Sequence, residues 1–274
     1  MPEKTKTDYS DKAELGQLKK LGEEAFGLRL DRVVQSGSEA NVLGMKTQFT
    51  TFSRRLDSRT YFVHDSRYGV GRESGVFRGS DKEYFTVCRG ILKSLRIPMS
   101  EIARQVLLKE QTQAARVDRE SGKVNAEEVA DGKYFARLTR QVEGVPVWSS
   151  LMVLGLAEKQ RIGYLQLHWP EIPALVLREA HSLAHRVADG WKPPEQAGAS
   201  VETVEAGIVH SPAIGFFMDM YAAIRVIYNP KSETHRQRPV YLYDRHGQPV
   251  PIPRQIEHPF KEPAPRKPLA DQPR

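Results

Sequence analysis

The sequence predicts an α+β protein in which helices pack on antiparallel sheets. Two observations predict this class. Several segments place apolar residues at helical spacing, and the stretch from residue 133 to 169 instead contains three successive strand-like runs. Helices and antiparallel strands that occupy different parts of a chain are typical of α+β folds.

The first helix is predicted over residues 11–26, where Leu15, Leu18 and Leu21 share one face and Gly27 is placed to end the helix. Strand-like segments follow this helix. They are Leu28–Val34, Val42–Leu56, Arg59–Val63 and a short one near Val76–Arg78.

A second helix is predicted to begin at Ser80, because Ser80 and Glu83 have the spacing of a capping box. Cys88, the one cysteine of the 274 residues, lies within the apolar stripe of this helix and is predicted to be a core residue. A less regular helix is predicted over Ser100–Ala115.

The second part of the chain begins with a predicted antiparallel meander. KYFARLTRQV, VPVWSSLMVLGL and IGYLQLHW are its strands, and the dipeptide EG forms the first turn. A helix over 172–189, a buried segment over 214–228 and a hairpin over 240–252 follow. The predicted organisation is therefore one α+β half over 11–130, a second over 131–255, and a proline-rich disordered tail over 256–274.

RQVEGVPVWSS, residues 140–150, is similar to the strand-turn-strand core of the PepSY and fungalysin/thermolysin-propeptide (FTP) domains, through Gly144, Pro146 and Val147. VDRESGKV and VYLYDRHGQPV resemble the adjoining Asp–Gly turns of those domains. The sequence departs from their pattern at Arg140, where a glutamine is usual. The resemblance implies two related cystatin-like halves that bind or restrain a partner and perform no chemistry.

A protein or peptide partner is expected along a sheet edge or along residues 206–217. Trp148 and Trp169 are aromatic anchors if they are exposed, and His210, Phe216 and Phe217 lie in or next to apolar, proline-containing sequence. The alternative is that both tryptophans pack the sheet against the helix over 172–189.

His181 and His185 are four residues apart on that helix, a spacing at which two imidazoles can share a zinc ion. A third ligand would come from elsewhere, with His168 and His210 as candidates. The zinc-peptidase motif requires a glutamate where Ser182 stands. The alternative is that both histidines border the apolar stripe of the helix and that the protein has no cofactor.

The formal net charge of +7 raises the alternative of nucleic-acid binding. Residues 52–68 interleave cations and rings, and the candidate residues are Arg54, Arg55, Arg59 and Tyr61. The alternative is a set of ordinary strands with exposed arginines.

A non-catalytic binding or regulatory module that engages a protein or peptide is the function expected first, because neither a G-x-S-x-G elbow nor a phosphate-binding P-loop occurs in the sequence. A zinc enzyme and a nucleic-acid binder are the alternatives. With no apolar run long enough for a membrane span and no signal segment, the expected location is the cytoplasm. An extracytoplasmic location is the alternative if a signal has been removed.

Overall fold

A computed structural model describes residues 7–33, 35–39, 42–55, 59–68, 75–113, 115–118, 121–126, 129–196, 198–212, 218–230 and 238–250. Within these residues the chain is mixed α+β, with three α-helices and a curled, predominantly antiparallel sheet. The predicted fold class is thereby confirmed. None of the described helices is both long and apolar enough to cross a bilayer.

The helices are α1 (Thr7–Phe26), α2 (Asp81–Ser94) and α3 (Ala174–Ala188). The strands are β1 (Gln35–Glu39), β2 (Val42–Lys46), β3 (Thr50–Arg55), β4 (Thr60–Asp65), β5 (Ile102–Thr112), β6 (Ala115–Val117), β7 (Val124–Ala126), β8 (Ala130–Val142), β9 (Val145–Ala157), β10 (Arg161–His168), β11 (Ala199–Pro212), β12 (Met218–Pro230), β13 (Val240–Tyr243) and β14 (Pro249–Val250).

The main sheet has the order β1-β2-β3-β4-β10-β9-β11-β12-β13-β14, and β8 pairs with β9 while β5 pairs with β8. Every pairing is antiparallel except that of β9 with β11, which consists of the single parallel pair Val147 and Ile208. The strands of the two predicted halves therefore belong to one sheet, because β4 pairs with β10 and β5 pairs with β8. That the halves are related and cystatin-like stays a prediction, and the tail over 256–274 lies outside the described residues.

The first core lies between one face of the sheet and helices α1 and α2. Phe52 on β3 is fully buried in it, and its ring centroid is 5.4 Å from that of Phe26 on α1. Helix α1 approaches closely at Gly22, where an added Cβ would lie 2.9 Å from the Phe52 ring. A second core packs α3, through Ala180 and Leu183, on β11, β12 and β13.

Local signals for the helices act as predicted. Gly27, with φ +61°, follows the last residue of α1. At the start of α2 the Ser80 N–H donates to Glu83 Oε2 (2.8 Å), and the Glu83 N–H donates to Ser80 Oγ (3.4 Å), which is the predicted capping box.

The predicted meander is also confirmed as β8, β9 and β10. The β8–β9 hairpin turns through Glu143 and Gly144, which both have positive φ, as a two-residue type I′ turn requires. The pairing of β9 with β8 is interrupted at Trp148–Ser150, since Thr139 pairs with Leu151 and the next residue, Arg140, pairs with Val147. Such a bulge redirects the strand and the side chains that it carries.

Some predicted elements are wrong. Residues 28–33 form no strand. The segment is an irregular connection that lies against the core, which is why Leu28 and Leu30 are buried. The helix predicted over Ser100–Ala115 is instead a short 3₁₀ turn at Met99–Glu101 followed by strand β5. Pairing with β8 therefore overrides the helix propensity of this segment.

Cys88 is fully buried, as predicted, and burial raises the pKa of its thiol to about 12. The thiolate is the reactive form of cysteine, so we expect the native protein to be inert to a thiol reagent at neutral pH. Reaction with Ellman's reagent should begin only as urea unfolds the chain, along the same curve as the circular-dichroism signal. Rapid reaction of the native protein would contradict this prediction.

Candidate functional site

One face of the sheet is covered by α1 and α2, and the other face of the same strands is not. Side chains that are directly opposite in antiparallel strands point to the same face, so the strand register identifies every member of each face. We call the face of β2, β3, β4, β10, β9, β8 and β5 that these helices leave uncovered the open face. Its rows are Lys46-Thr51-His64-Tyr164-Gly155-Phe135-Leu108, Gly44-Ser53-Phe62-Gln166-Val153-Arg137-Val106 and Val42-Arg55-Thr60-His168-Leu151-Thr139-Arg104.

Exposure separates the two faces clearly. On β4, Tyr61 and Val63 are buried against the helices, whereas Phe62 and His64 between them are exposed. On β10 the same alternation leaves Tyr164 and Gln166 partly exposed. The first two rows of the open face therefore remain accessible over most of their width.

An aromatic cluster occupies the middle of the open face. The Phe62 ring stacks on His64 (6.4 Å between centroids) and meets the edge of Tyr164 (5.8 Å), and Tyr164 in turn meets Phe135 (6.0 Å). Partial burial raises the pKa of Tyr164, so its phenol is neutral at physiological pH. The cluster is thus a row of rings that are partly open to solvent.

A fifth ring, Tyr68, closes one end of this cluster. It lies against the backbone of Gly155 and Gly163, where an added Cβ would come within 2.4 Å and 2.3 Å of Tyr68 atoms. Its hydroxyl donates to the Tyr134 carbonyl (3.2 Å), and its ring contacts Phe135 at 6.1 Å. Only glycine permits this approach, and Gly163 is the extra residue of a bulge in β10.

The charged side chains of the three rows of the open face are all cations, and Glu110 extends the same face of β5 beyond the rows. Lys46 and Arg104 are exposed at the two sides of the open face, and Arg55 and Arg137 are partly exposed between them. The three rows contain no aspartate or glutamate. Rows of rings and cations attract an anionic ligand that carries flat or apolar groups.

The four nucleic-acid candidates from the sequence are divided between the faces. Arg55 lies on the open face, but Tyr61 is buried on the helix side and the Arg54 guanidinium lies 5.9 Å from its ring centroid. Arg59 precedes β4 and donates to Glu171 (2.6 Å). The candidates within the strands are divided because neighbouring residues of a strand point to opposite faces of the sheet.

Two buried histidines, His168 and His210, meet where β11 covers the third row of the open face. The Nε2 of His168 and the Nδ1 of His210 are 2.6 Å apart with the ring planes nearly parallel, and Thr60 Oγ1 lies 2.6 Å from His168 Nδ1. The His210 N–H donates to Ser149 Oγ within the β9 interruption (2.8 Å). This pair therefore joins β10 to β11 beside the single β9–β11 backbone pair.

The partner-binding candidates from the sequence occupy different environments. Trp169 and His210 are each 1% exposed, so they belong to the interior. Trp148 is partly buried, and the Arg225 guanidinium lies 4.5 Å from its ring centroid. Phe216 and Phe217 lie outside the described residues.

The metal candidates His181 and His185 lie on the outer side of α3, where His185 is exposed and His181 Nε2 is 3.3 Å from Glu143 Oε2. Among the described residues no group of three or more histidine, cysteine or acidic side chains is arranged to hold a metal ion. His168 and His210, the candidate third ligands, contact each other. Zinc binding by His181 and His185 stays a prediction from the sequence.

No protein-family model matches the chain, and no curated protein matches it. Among solved structures it is similar to an uncharacterized protein from Eubacterium rectale ATCC 33656, at 14% sequence identity and a TM-score of 0.48, over 88% of this chain and 82% of that one. The resemblance to the PepSY and FTP domains therefore stays a prediction.

Proposed function

We propose that the protein is a non-catalytic binding module and that its ligand is single-stranded nucleic acid, held on the open face. The observation that supports this function best is the combination of the aromatic cluster of Phe62, His64, Tyr164 and Phe135 with the cations that flank it in the three rows. Proteins that bind single strands use this combination, with rings for the bases and cations for the phosphates.

Single strands fit this surface better than duplexes because of how the rings are presented. Unpaired bases expose their faces and can stack on side-chain rings, whereas paired bases are covered by their neighbours. The rings of Phe62 and Tyr164 are 5.8 Å apart on adjacent strands, at the centre of the accessible rows. Lys46, Arg55, Arg104 and Arg137 surround this centre and supply the contacts to phosphate.

Replacing Phe62 or Tyr164 with alanine is expected to weaken binding of a fluorescein-labelled deoxythymidine oligonucleotide about tenfold, because each stacked base contributes about 1–3 kcal/mol. Fluorescence anisotropy at several salt concentrations measures this effect. The affinity of the native protein should fall steeply with salt, and Arg55→Gln should make the salt dependence shallower.

The matched control is Arg54→Gln, which removes the same charge from the neighbouring residue on the helix side. It should leave affinity within about twofold, after circular dichroism has established that the variant is folded. Equal losses of affinity in Arg54→Gln and Arg55→Gln would indicate that the oligonucleotide is attracted by net charge alone. Absence of salt-dependent binding by the native protein would rule out the proposed function, and tighter binding of duplex DNA would rule out the preference for single strands.

A protein or peptide partner, the function expected first from the sequence, is supported by a different feature. Strand β5 is 11 residues long, and among the described strands it pairs with β8 alone. Such an edge can accept an added strand, and this mode of binding agrees with the expectation of a partner along a sheet edge.

A further inference from the structure

Strand β5 is an edge strand with exposed polar side chains. No described strand pairs with its outer side, and Ala103–Gln105 and Leu108–Gln111 are exposed. Between the register shifts at its two ends, the stretch from Arg104 to Lys109 pairs regularly with β8. Edge strands of this length are usually shielded or paired, because their free N–H and C=O groups otherwise recruit other chains.

The sequence of β5 is complementary to itself when two copies run antiparallel with Leu107 opposite Leu107. In this register Arg104 opposes Glu110, Gln105 opposes Lys109 and Val106 opposes Leu108. Opposite charges meet, and apolar side chains meet apolar ones, which are the cross-strand pairs that stabilise antiparallel sheets. The Glu110 carboxylate accepts the Lys133 N–H (3.1 Å) and has lone pairs for a second donor.

Neighbouring registers lose this complementarity. With Val106 at the centre, Arg104 opposes Leu108, and with Leu108 at the centre, Val106 opposes Glu110. The pattern therefore selects one register rather than favouring edge pairing in general.

We infer that two copies of this protein associate through antiparallel pairing of β5 about a two-fold axis at Leu107. Residues opposite each other in antiparallel strands share a face, so the two open faces lie on the same side of one continuous sheet. The contact is one strand pair and is smaller than a standard stable interface, so the dimer dissociates on dilution. This inference does not rest on the proposed nucleic-acid binding.

Sedimentation equilibrium across a concentration series, without nucleic acid, tests the inference. The native protein should show a reversible monomer–dimer equilibrium. Arg104→Glu and Glu110→Arg should each weaken dimerisation about tenfold or more, because each places like charges opposite each other twice per dimer. The double variant should restore it, which a nonspecific loss of folding would not do. A chain that is monomeric throughout, or single variants that dimerise like the native protein, would overturn the inference.

Disulfide formation tests the register independently. Leu107→Cys should form a disulfide-linked dimer under mild oxidation, because residue 107 faces its own copy, whereas Leu108→Cys should not, because it faces Val106. The native Cys88 is buried and does not interfere. Equal crosslinking at both positions would reject this register.

Discussion

Replacing Phe52 with alanine is expected to lower the free energy of unfolding by about 3–5 kcal/mol. The Phe52 ring is fully buried between β3 and α1, where it contacts Phe26 and the backbone of α1 at Gly22. Its removal leaves a cavity that neither the sheet nor the helix can fill. Urea unfolding followed by circular dichroism measures the change as a lower midpoint with an unchanged m value.

Phe62→Ala is the matched control. Phe62 lies on the adjacent strand and points to the opposite face, where it is 36% exposed. We expect the substitution to lower the free energy of unfolding by about 1 kcal/mol or less, because the ring lies at the surface and its loss leaves no buried cavity. The two phenylalanines should thus separate the roles of the faces, with stability lost on one and oligonucleotide binding lost on the other. Similar destabilisation by both substitutions would contradict the assignment of the open face.

Replacing Glu101 with alanine is expected to cost about 3–5 kcal/mol, because it leaves a buried cation without its partner. The Arg140 side chain is 5% exposed, and its Nε donates to Glu101 Oε2 (2.8 Å), which also accepts the Trp169 indole N–H (2.8 Å). Burial lowers the pKa of the Arg140 guanidinium, and Glu101 opposes that shift. The Pro170 carbonyl, which accepts from Arg140 Nη1 (2.5 Å), cannot neutralise the charge.

Glu171→Ala removes the carboxylate of another arginine–glutamate pair, but that pair is exposed. The side chains of Arg59 and Glu171 are 38% and 79% exposed, so water screens their attraction and the loss should be at most about 1 kcal/mol. Glu101→Gln should fall between the two alanine variants, because the amide oxygen still accepts a hydrogen bond without supplying charge. Equal unfolding midpoints for Glu101→Ala and Glu171→Ala would show that burial does not govern these pairs.

Much of the fold is predictable from the sequence because several local signals agree with the tertiary contacts. The capping box at Ser80, the glycine after α1 and the Glu143–Gly144 turn are determined by backbone chemistry within a few residues. The alternation in β8 and β10 persists because each of these strands has one face on the core. In these elements the period of the apolar residues matches the local geometry.

The elements that sequence reasoning misses are those that depend on a distant partner. Strand β5 consists largely of good helix formers, and its pairing with β8 decides its conformation. Its apolar residues Val106, Leu107 and Leu108 are consecutive, so alternation is no guide to this strand. In the connection over 28–33 the apolar residues do alternate as in a strand. This alternation reflects packing against the core, and the segment is not part of a strand.

The open face is only partly predictable for the same reason. Interleaved rings and cations in residues 52–68 are visible in the sequence, but the choice between neighbours such as Arg54 and Arg55 requires the sheet register. Tyr164 and Phe135 join Phe62 through strands about 70–100 residues further along the chain, and no local pattern connects them. The sequence thus suggests the chemistry of the surface but does not identify all the residues that form it.

The pairing of β4 with β10 also determines the order in which the sheet can be completed during synthesis. His64 pairs with Tyr164, which leaves the ribosome about 100 residues later, or roughly 5–20 s at ordinary translation rates. Until then β1–β4 can form only a small meander whose last strand has an unoccupied edge. During this period the free edge of β4 in the nascent chain can pair with non-native strands. The period ends when β10 pairs with β4 and so joins the first strands to the meander of β8, β9 and β10.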